Sequence, residues 1–216
     1  MINTNSAQFY ANTASNHDRI YDREERQDDL AAMRGHVADV LRGHTVLELA
    51  CGTGYWTRII AETADKVVAT DINPEMIALA MLRKLPADKV TLRVADAWQL
   101  PDDLGDFTAV VIGFWWSHVK REEQEKFLAG LKARVGKDVM VVLLDDAYVE
   151  GSSETVARTD QEGNTYKIST DHEGERFEIV KTYPSDSALR KKLASSVREI
   201  KIVRLEYYWL LSCRLK

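Results

Sequence analysis

Cysteine is almost missing from this 216-residue chain: only Cys51 and Cys213 occur, with no metal-ligand spacing between them. Cys51 directly follows an apolar run and reads as a packing residue, since buried thiols are inert. Long apolar runs are missing too. None approaches the roughly 20 residues a membrane span requires, and residues 1–28 hold no continuous apolar stretch of the signal-peptide kind. A basic surface is the third absence. Arg190, Lys191 and Lys192 make too short a run and fall on a helix face, and the formal net charge of −5 has the wrong sign for a nucleic-acid footprint. No internal repeat is visible. The expectation is a cytoplasmic protein without membrane or nucleic-acid partners, working as a monomer or homodimer. Its 45% hydrophobic and 29% charged residues are those of an ordinary globular domain, and its length favours one domain with a sizeable core.

What is present is concentrated in residues 45–57. Val46, Leu47 and Leu49 form a short apolar run, Gly52 and Gly54 bracket a turn, and Trp56, Ile59, Ile60 and Ala64 then recur at helical intervals. Strand, glycine turn and helix in that order open a nucleotide-binding α/β sheet. The turn lets backbone approach a ligand, and the helix N-terminus presents unpaired N–H groups. Acidic positions sharpen this reading. Glu48 sits inside the apolar strand, where an unpaired carboxylate is costly to bury. A second strand over 66–71 ends in Asp71, placed to accept both hydroxyls of a ribose, and a third over 90–95 leads into Asp96 and Ala97. Three strands thus deliver functional groups at their carboxyl ends, where open α/β sheets bind ligands. A nicotinamide fingerprint asks for a further glycine at position 57, which here is Thr57.

In these residues the chain resembles the class I S-adenosylmethionine-dependent methyltransferases. Glu48, Leu49, Ala50, Cys51, Gly52, Thr53 and Gly54 look like that family's first motif. Asp71 and Ile72 look like its ribose-binding acid with a following apolar residue, and Asp96 and Ala97 like the pair that meets the adenine amine. The resemblance covers residues 46–145 well and the flanks by general layout. It implies a Rossmann-like, seven-stranded, mostly parallel sheet with helices on both faces and an antiparallel last strand. It also implies S-adenosyl-L-methionine as cofactor, with Tyr21, Glu48, Ala50, Gly52, Gly54, Asp71, Ile72, Met76, Asp96, Ala97, Trp98 and Gly113 around it. The activity implied is methyl transfer to a small-molecule acceptor. A non-methylating enzyme that consumes the cofactor, for instance by cyclisation, and a non-catalytic binder remain alternatives.

The flanks complete a single domain: N-terminal cap helices over 1–43, a cofactor-binding core over 44–145, an inserted hairpin over 147–183, and a C-terminal helix and strands over 184–216. Tyr10 and Tyr21 are candidates either to cap the cofactor pocket or to anchor a helix on the sheet. Asn73 and Pro74 suit the N-cap and first position of a helix, whose Met76 either packs or touches the adenine. Trp98 either covers the adenine or shields the core. An apolar strand over 107–113 runs into Phe114, Trp115, Trp116, Ser117 and His118, the loop that borders the transferable methyl group in the resembling fold. Asp145 and Asp146 close the fifth strand, one of them expected to order a loop. Tyr166 and Ile168, then Phe177 and Ile179, alternate with polar residues about a turn at 171–174, which reads as a β-hairpin inserted after the fifth strand, a good position for an active-site flap.

Methyl transfer from a sulfonium asks chiefly for position, since the leaving group departs neutral. Aromatic faces such as Trp115 and Trp116 suit a cation. A base is needed only for a protonated acceptor, and His118 is the side chain in that loop with a suitable unperturbed pKa. His118 and Trp115 are therefore the candidate catalytic residues, with a core role or a helix N-cap as the alternative for His118.

Overall fold

The computed structural model describes residues 2–216. Strands β1 (Thr45–Leu49), β2 (Lys66–Asp71), β3 (Val90–Val94), β4 (Ala109–Gly113) and β5 (Met140–Asp146) run parallel. Helices α3 (Tyr55–Thr63), α4 (Pro74–Leu82) and α5 (Gln124–Val135) make crossovers between them. After α6 (Asp186–Leu193), the closing hairpin of β9 (Val197–Arg204) and β10 (Tyr208–Leu215) inserts β10 antiparallel beside β5. The seven strands lie in the order β3-β2-β1-β4-β5-β10-β9. Chain progression therefore reverses between β1 and β4, the switch point at which open sheets leave a crevice beyond their carboxyl ends. Fold class and antiparallel last strand agree with the sequence reading.

Alternation along each strand divides the core into two layers. Leu47, Leu49, Val110, Ile112, Val141 and Leu143 meet Phe127, Leu128 and Leu131 of α5 and Leu189 and Leu193 of α6. On the opposite face Val46, Val67, Val111 and Val142 meet Trp56, Ile59 and Ile60 of α3. Leu30, Met33 and Val37 of α2 (Gln27–Val40) close the same layer. With both faces covered, β4 and the body of β5 are apolar, as buried parallel strands are, whereas the edge strand β3 carries Thr91 and Arg93. Each fully buried Leu, Ile or Val contributes about 1.5–3 kcal/mol.

The insertion after β5 is larger than the hairpin expected. Strands β7 (Thr165–Thr170) and β8 (Arg176–Val180) pair as the alternation predicts, and β6 (Arg158–Thr159) adds a third antiparallel strand on β7. Two exposed residues carry no hydrophobic period. What holds β6 is the Arg158 guanidinium, lying 3.6 Å over the Tyr166 ring and paired with Glu178. The N-terminal segment joins this flap. Asn3 forms a parallel bridge to Phe177, donating to the Arg176 carbonyl at 2.9 Å and accepting from the Glu178 N–H at 2.8 Å. Helix α1 (Ser6–Thr13), capped by the Asn5 side chain, then sets Phe9 against Phe177 with ring centroids 5.5 Å apart. A 3-10 helix over Ala14–Tyr21 carries the chain across the sheet edge. Its Asp18 is clamped by the Thr53 hydroxyl and by Arg83.

Gly54 shows why the first turn needs glycine. It sits at φ 77°, and a Cβ there would lie 3.1 Å from the Cβ of Ala80, where α4 passes closest. Gly43 has a similar φ of 72° but open space around it. Gly43→Ala should cost only the left-handed backbone penalty of about 1–2 kcal/mol. Gly54→Ala should cost clearly more in urea unfolding, and equal losses would show that the approach to α4 does not matter.

Candidate active site

Beyond the carboxyl ends of β1, β2 and β4 lies a cavity of about 550 Å³, walled above by the N-terminal segment and by the flap. At the end of β1 the backbone is strained into position. Ala50 has φ 53° and Gly52 φ 56°, and a non-glycine residue in that region costs about 1–3 kcal/mol. The distortion aims the Gly52 N–H at Asp71 Oδ2, 2.8 Å away. Glu48 is buried beneath this turn, and its Oε2 has no hydrogen-bond partner among the described residues. Burial, reinforced by the Asp71 charge, pushes its carboxyl up to about 8.

Asp71 is buried at the end of β2, with Oδ1 accepting the Asn73 N–H at 2.9 Å. Burial raises its pKa against the pull of the Asn73 and Gly52 N–H groups. Asn73 occupies the N-cap of α4 with Pro74 following, but its side chain makes no capping bond. Ile72 lies half exposed at the cavity rim and Met76 is buried against it. Asp96 follows β3 and accepts the Trp98 N–H at 2.9 Å. Trp98, 40% exposed, packs edge-on against Phe127 at 5.1 Å and Trp115 at 6.3 Å. Tyr21 stacks on Tyr55 with centroids 3.7 Å apart and accepts a hydrogen bond from the Trp56 indole at 3.1 Å.

The loop after β4 divides its aromatic residues. Phe114 is in the left-handed region at φ 56°. Trp115 faces the cavity, whereas Trp116 is 1% exposed in the core and takes no part. His118 is pinned on both sides. Its Nδ1 bonds the Val180 carbonyl, which can only accept, so Nδ1 carries the proton. Nε2 then holds the lone pair and accepts from the Tyr10 hydroxyl at 2.8 Å. Burial, with the nearby Lys181 and Lys167 charges, pulls the ring down to about 3. His118 does not cap α5, which starts later and has Glu123 at its N-cap. It ties the loop to the flap and to α1.

Asp145 orders that loop, accepting the Ser117 N–H at 2.9 Å and hydroxyl at 3.0 Å. The flap supplies a cation that no sequence pattern singles out. The Lys181 ammonium donates to Asp145 at 2.8 Å, Asp146 at 2.7 Å and the Ser117 hydroxyl at 3.0 Å. Burial opposes its charge, but the two aspartates outweigh it and hold its pKa well above the ordinary lysine value. His17, likewise unmarked in the sequence, lines the cavity above the glycine turn. Neither residue belongs to a motif; each is a lone polar side chain brought in by tertiary structure. Of the residues singled out from sequence, Glu48, Ala50, Gly52, Asp71, Asp96, Ala97, Gly113, Trp115 and His118 converge on the cavity, with Tyr21, Ile72, Met76 and Trp98 around them. Gly54 lies outside its lining, where the turn packs against Ala80 of α4.

Fold and site define a nucleoside-binding type of α/β domain, with ligand groups at the switch point of a mostly parallel sheet. Residues 46–138 match the family model described as a methyltransferase domain. The magnesium-protoporphyrin O-methyltransferase of Rhodobacter capsulatus is 37% identical over 91 residues, covering 41% of this chain and 40% of that protein. A demethylmenaquinone methyltransferase of Oceanobacillus iheyensis is 26% identical over 111 residues, 45% of this chain and 47% of that protein. The matches thus span under half of either relative. Among solved structures, the DhpI–SAH complex superposes with a TM-score of 0.76 at 29% identity, over 97% of this chain and 94% of that one. The DhpI–SAM–HEP complex gives 0.75 at the same identity, over 97% and 96%. Residues 46–138 are thus similar to a methyltransferase domain, and the chain has the fold of the class I S-adenosylmethionine-dependent methyltransferases. No helix among the described residues is long and apolar enough to cross a membrane.

Lys181→Met should leave Asp145 buried without a cation and Asp146 with Arg26 as its partner, at 3.4 Å, and cost about 3–5 kcal/mol in chemical denaturation; a loss under about 1 kcal/mol, the range of exposed pairs, would show the network to be solvated. For His118, the unfolded ring takes up a proton near 6.5 that the folded ring refuses until about 3. Its contribution is therefore complete above pH 6.5 and lost as pH falls toward 3. The stability gap between wild type and His118→Asn should narrow between about pH 7 and pH 4, and a constant gap would contradict the buried neutral ring.

Proposed function

We propose that this protein transfers a methyl group from S-adenosylmethionine to a small polar acceptor enclosed by the flap. The observation that carries the proposal is the meeting of Asp71, the Gly52 turn and the Glu48 carboxyl, whose Oε2 is unpartnered, in one cavity at the switch point. A buried acid with a free oxygen fits a cationic amino group. The left-handed turn at Gly52 leaves room where a side chain would stand, and Asp71 keeps lone pairs beyond its two backbone bonds. A neighbour of 29% identity solved with SAM and with SAH supports the same ligand here.

The cofactor supplies a methyl group on a sulfonium, which departs as a neutral thioether. Asp71 would hold the ribose hydroxyls, Asp96 and the Ala97 N–H the adenine edge, and Ile72 and Met76 its apolar faces. Glu48, beside Ala50 and Gly113, would take the amino group, and Tyr21 would close that end. Trp115 walls the acceptor from solvent. The main contribution of these residues is position, worth up to about 7–11 kcal/mol in a near-attack geometry.

His118, the candidate base by its ordinary pKa, has no free lone pair, which argues for a positioning role. Because its Nε2 fixes the Tyr10 proton, the Tyr10 oxygen is left as a hydrogen-bond acceptor toward the cavity, suited to orient a hydroxyl or amine. The cavity lining includes the polar side chains of Arg23, Arg26, Glu154, Lys167, Lys181 and Tyr183. A large apolar acceptor would desolvate these groups without compensation, whereas a small polar one replaces their water. The net charge of −5 supports an acceptor other than nucleic acid. The same reading takes the protein as a cytoplasmic enzyme working as a monomer or homodimer.

Incubation with methyl-labelled cofactor and candidate acceptors should yield labelled acceptor and S-adenosylhomocysteine. Cofactor breakdown without acceptor, or binding without turnover, would favour a cofactor-consuming or sensing protein. Asp71→Asn should weaken cofactor binding by about 1–3 kcal/mol in calorimetry, as for a charged hydrogen bond. Unchanged affinity in the folded variant would remove Asp71 from the site.

A further inference from the structure

Three imidazoles reach the cavity, and two are spoken for. His118 bonds Val180 and Tyr10, and His172 of the flap bonds the Asn16 side chain at 3.2 Å. The His17 ring makes no hydrogen bond among the described residues, although it is half-buried in the cavity wall. It stands on the 3-10 helix that Asp18 clamps to Thr53 and Arg83. Its Nε2 lies 3.6 Å from where a Gly52 Cβ would be, and its ring meets Tyr10 edge-on with centroids 5.9 Å apart. Asp96, Asp71 and Gly52 run in order toward the β1 end of the cavity, and Tyr10 with His118 marks the acceptor end. His17 occupies the interval, over the same turn under which the unpartnered Glu48 oxygen is buried.

Resting on the cofactor assignment above, we propose that His17 is a binding residue for the amino-acid head of S-adenosylmethionine. A neutral imidazole presents one N–H donor and one lone pair. That suits a group carrying both a carboxylate and an ammonium, neither of which the adenosine half offers. Neutrality fits the surroundings: burial draws the ring below its ordinary value, Lys167 of the flap acts in the same direction, and Asp18 on its own helix opposes. Glu48 from below and His17 from above then enclose the head group, and a cationic sulfonium meets no added positive charge. An apolar enclosing residue would serve as well if the segment were only a lid, so the chemistry of the side chain is what the proposal turns on.

Calorimetry with S-adenosylhomocysteine and with methylthioadenosine, which keeps the adenosine and thioether but lacks the head group, tests this on the full chain. His17→Ala should weaken S-adenosylhomocysteine by about tenfold or more, the loss of a hydrogen bond to a charged group, and leave methylthioadenosine within a factor of two or so. His17→Gln, which keeps a donor and an acceptor, should recover part of the loss. Thermal unfolding of each variant without ligand checks that the fold stands. Equal weakening of both ligands would make His17 a lid residue and overturn the proposal, as would no change in either, or an effect of His17→Gln as large as that of His17→Ala. Wild-type protein that binds neither ligand would instead remove the cofactor assignment, and this proposal with it.

Discussion

The Lys181 ammonium is the point on which the site depends. It sits just past β8, yet its partners belong to the last two residues of β5 and to the turn after β4. One buried cation thereby fixes the flap to the sheet and holds Ser117 beside Asp145. Ser117 lies between Trp115 and His118, so the orientation of the cavity wall is set from the flap side. Buried ion pairs add little net stability, because desolvation consumes most of the Coulombic gain. What this one contributes is uniqueness: three donors matched to three acceptors admit a single arrangement of three chain segments.

The strands, the glycine turn and the sheet-edge acids were legible because they obey short-range rules. Leu47 and Val46 alternate between faces, Ile59 and Ile60 keep helical spacing, and Asp71 and Asp96 lie where strands end. Lys181 was not legible, since nothing in its neighbourhood distinguishes it from Lys191 and Lys192 on their helix face. Its meaning comes from Asp145 and Asp146, about 35 residues earlier, and only the fold brings them together. The same holds for β6, which is held by Arg158 stacking on Tyr166 with no apolar period of its own. His118 stands out in the sequence for its ordinary pKa, but burial between Tyr10 and Val180 removes that property. His17 does not stand out, and it is the ring left open to the cavity.

Of the four non-glycine residues in the left-handed region among the described residues, Asp138 and Glu199 lie before β5 and within β9, while Ala50 and Phe114 each follow a strand that flanks the switch point. The energy they cost is recovered in the two apolar layers, and the result is a ring of backbone turned toward the cavity.

The N-terminal segment and the flap, though far apart in sequence, are stitched to each other. Asn3 pairs with β8, Asn12 with Asp171 and Asn16 with His172. The two covers therefore behave as one door. Lifting the N-terminal helix to free the cofactor end strips partners from the flap over the acceptor end, and raising the flap loosens the helix. On the function proposed above, opening one cover to release a spent cofactor would also loosen the other over the acceptor.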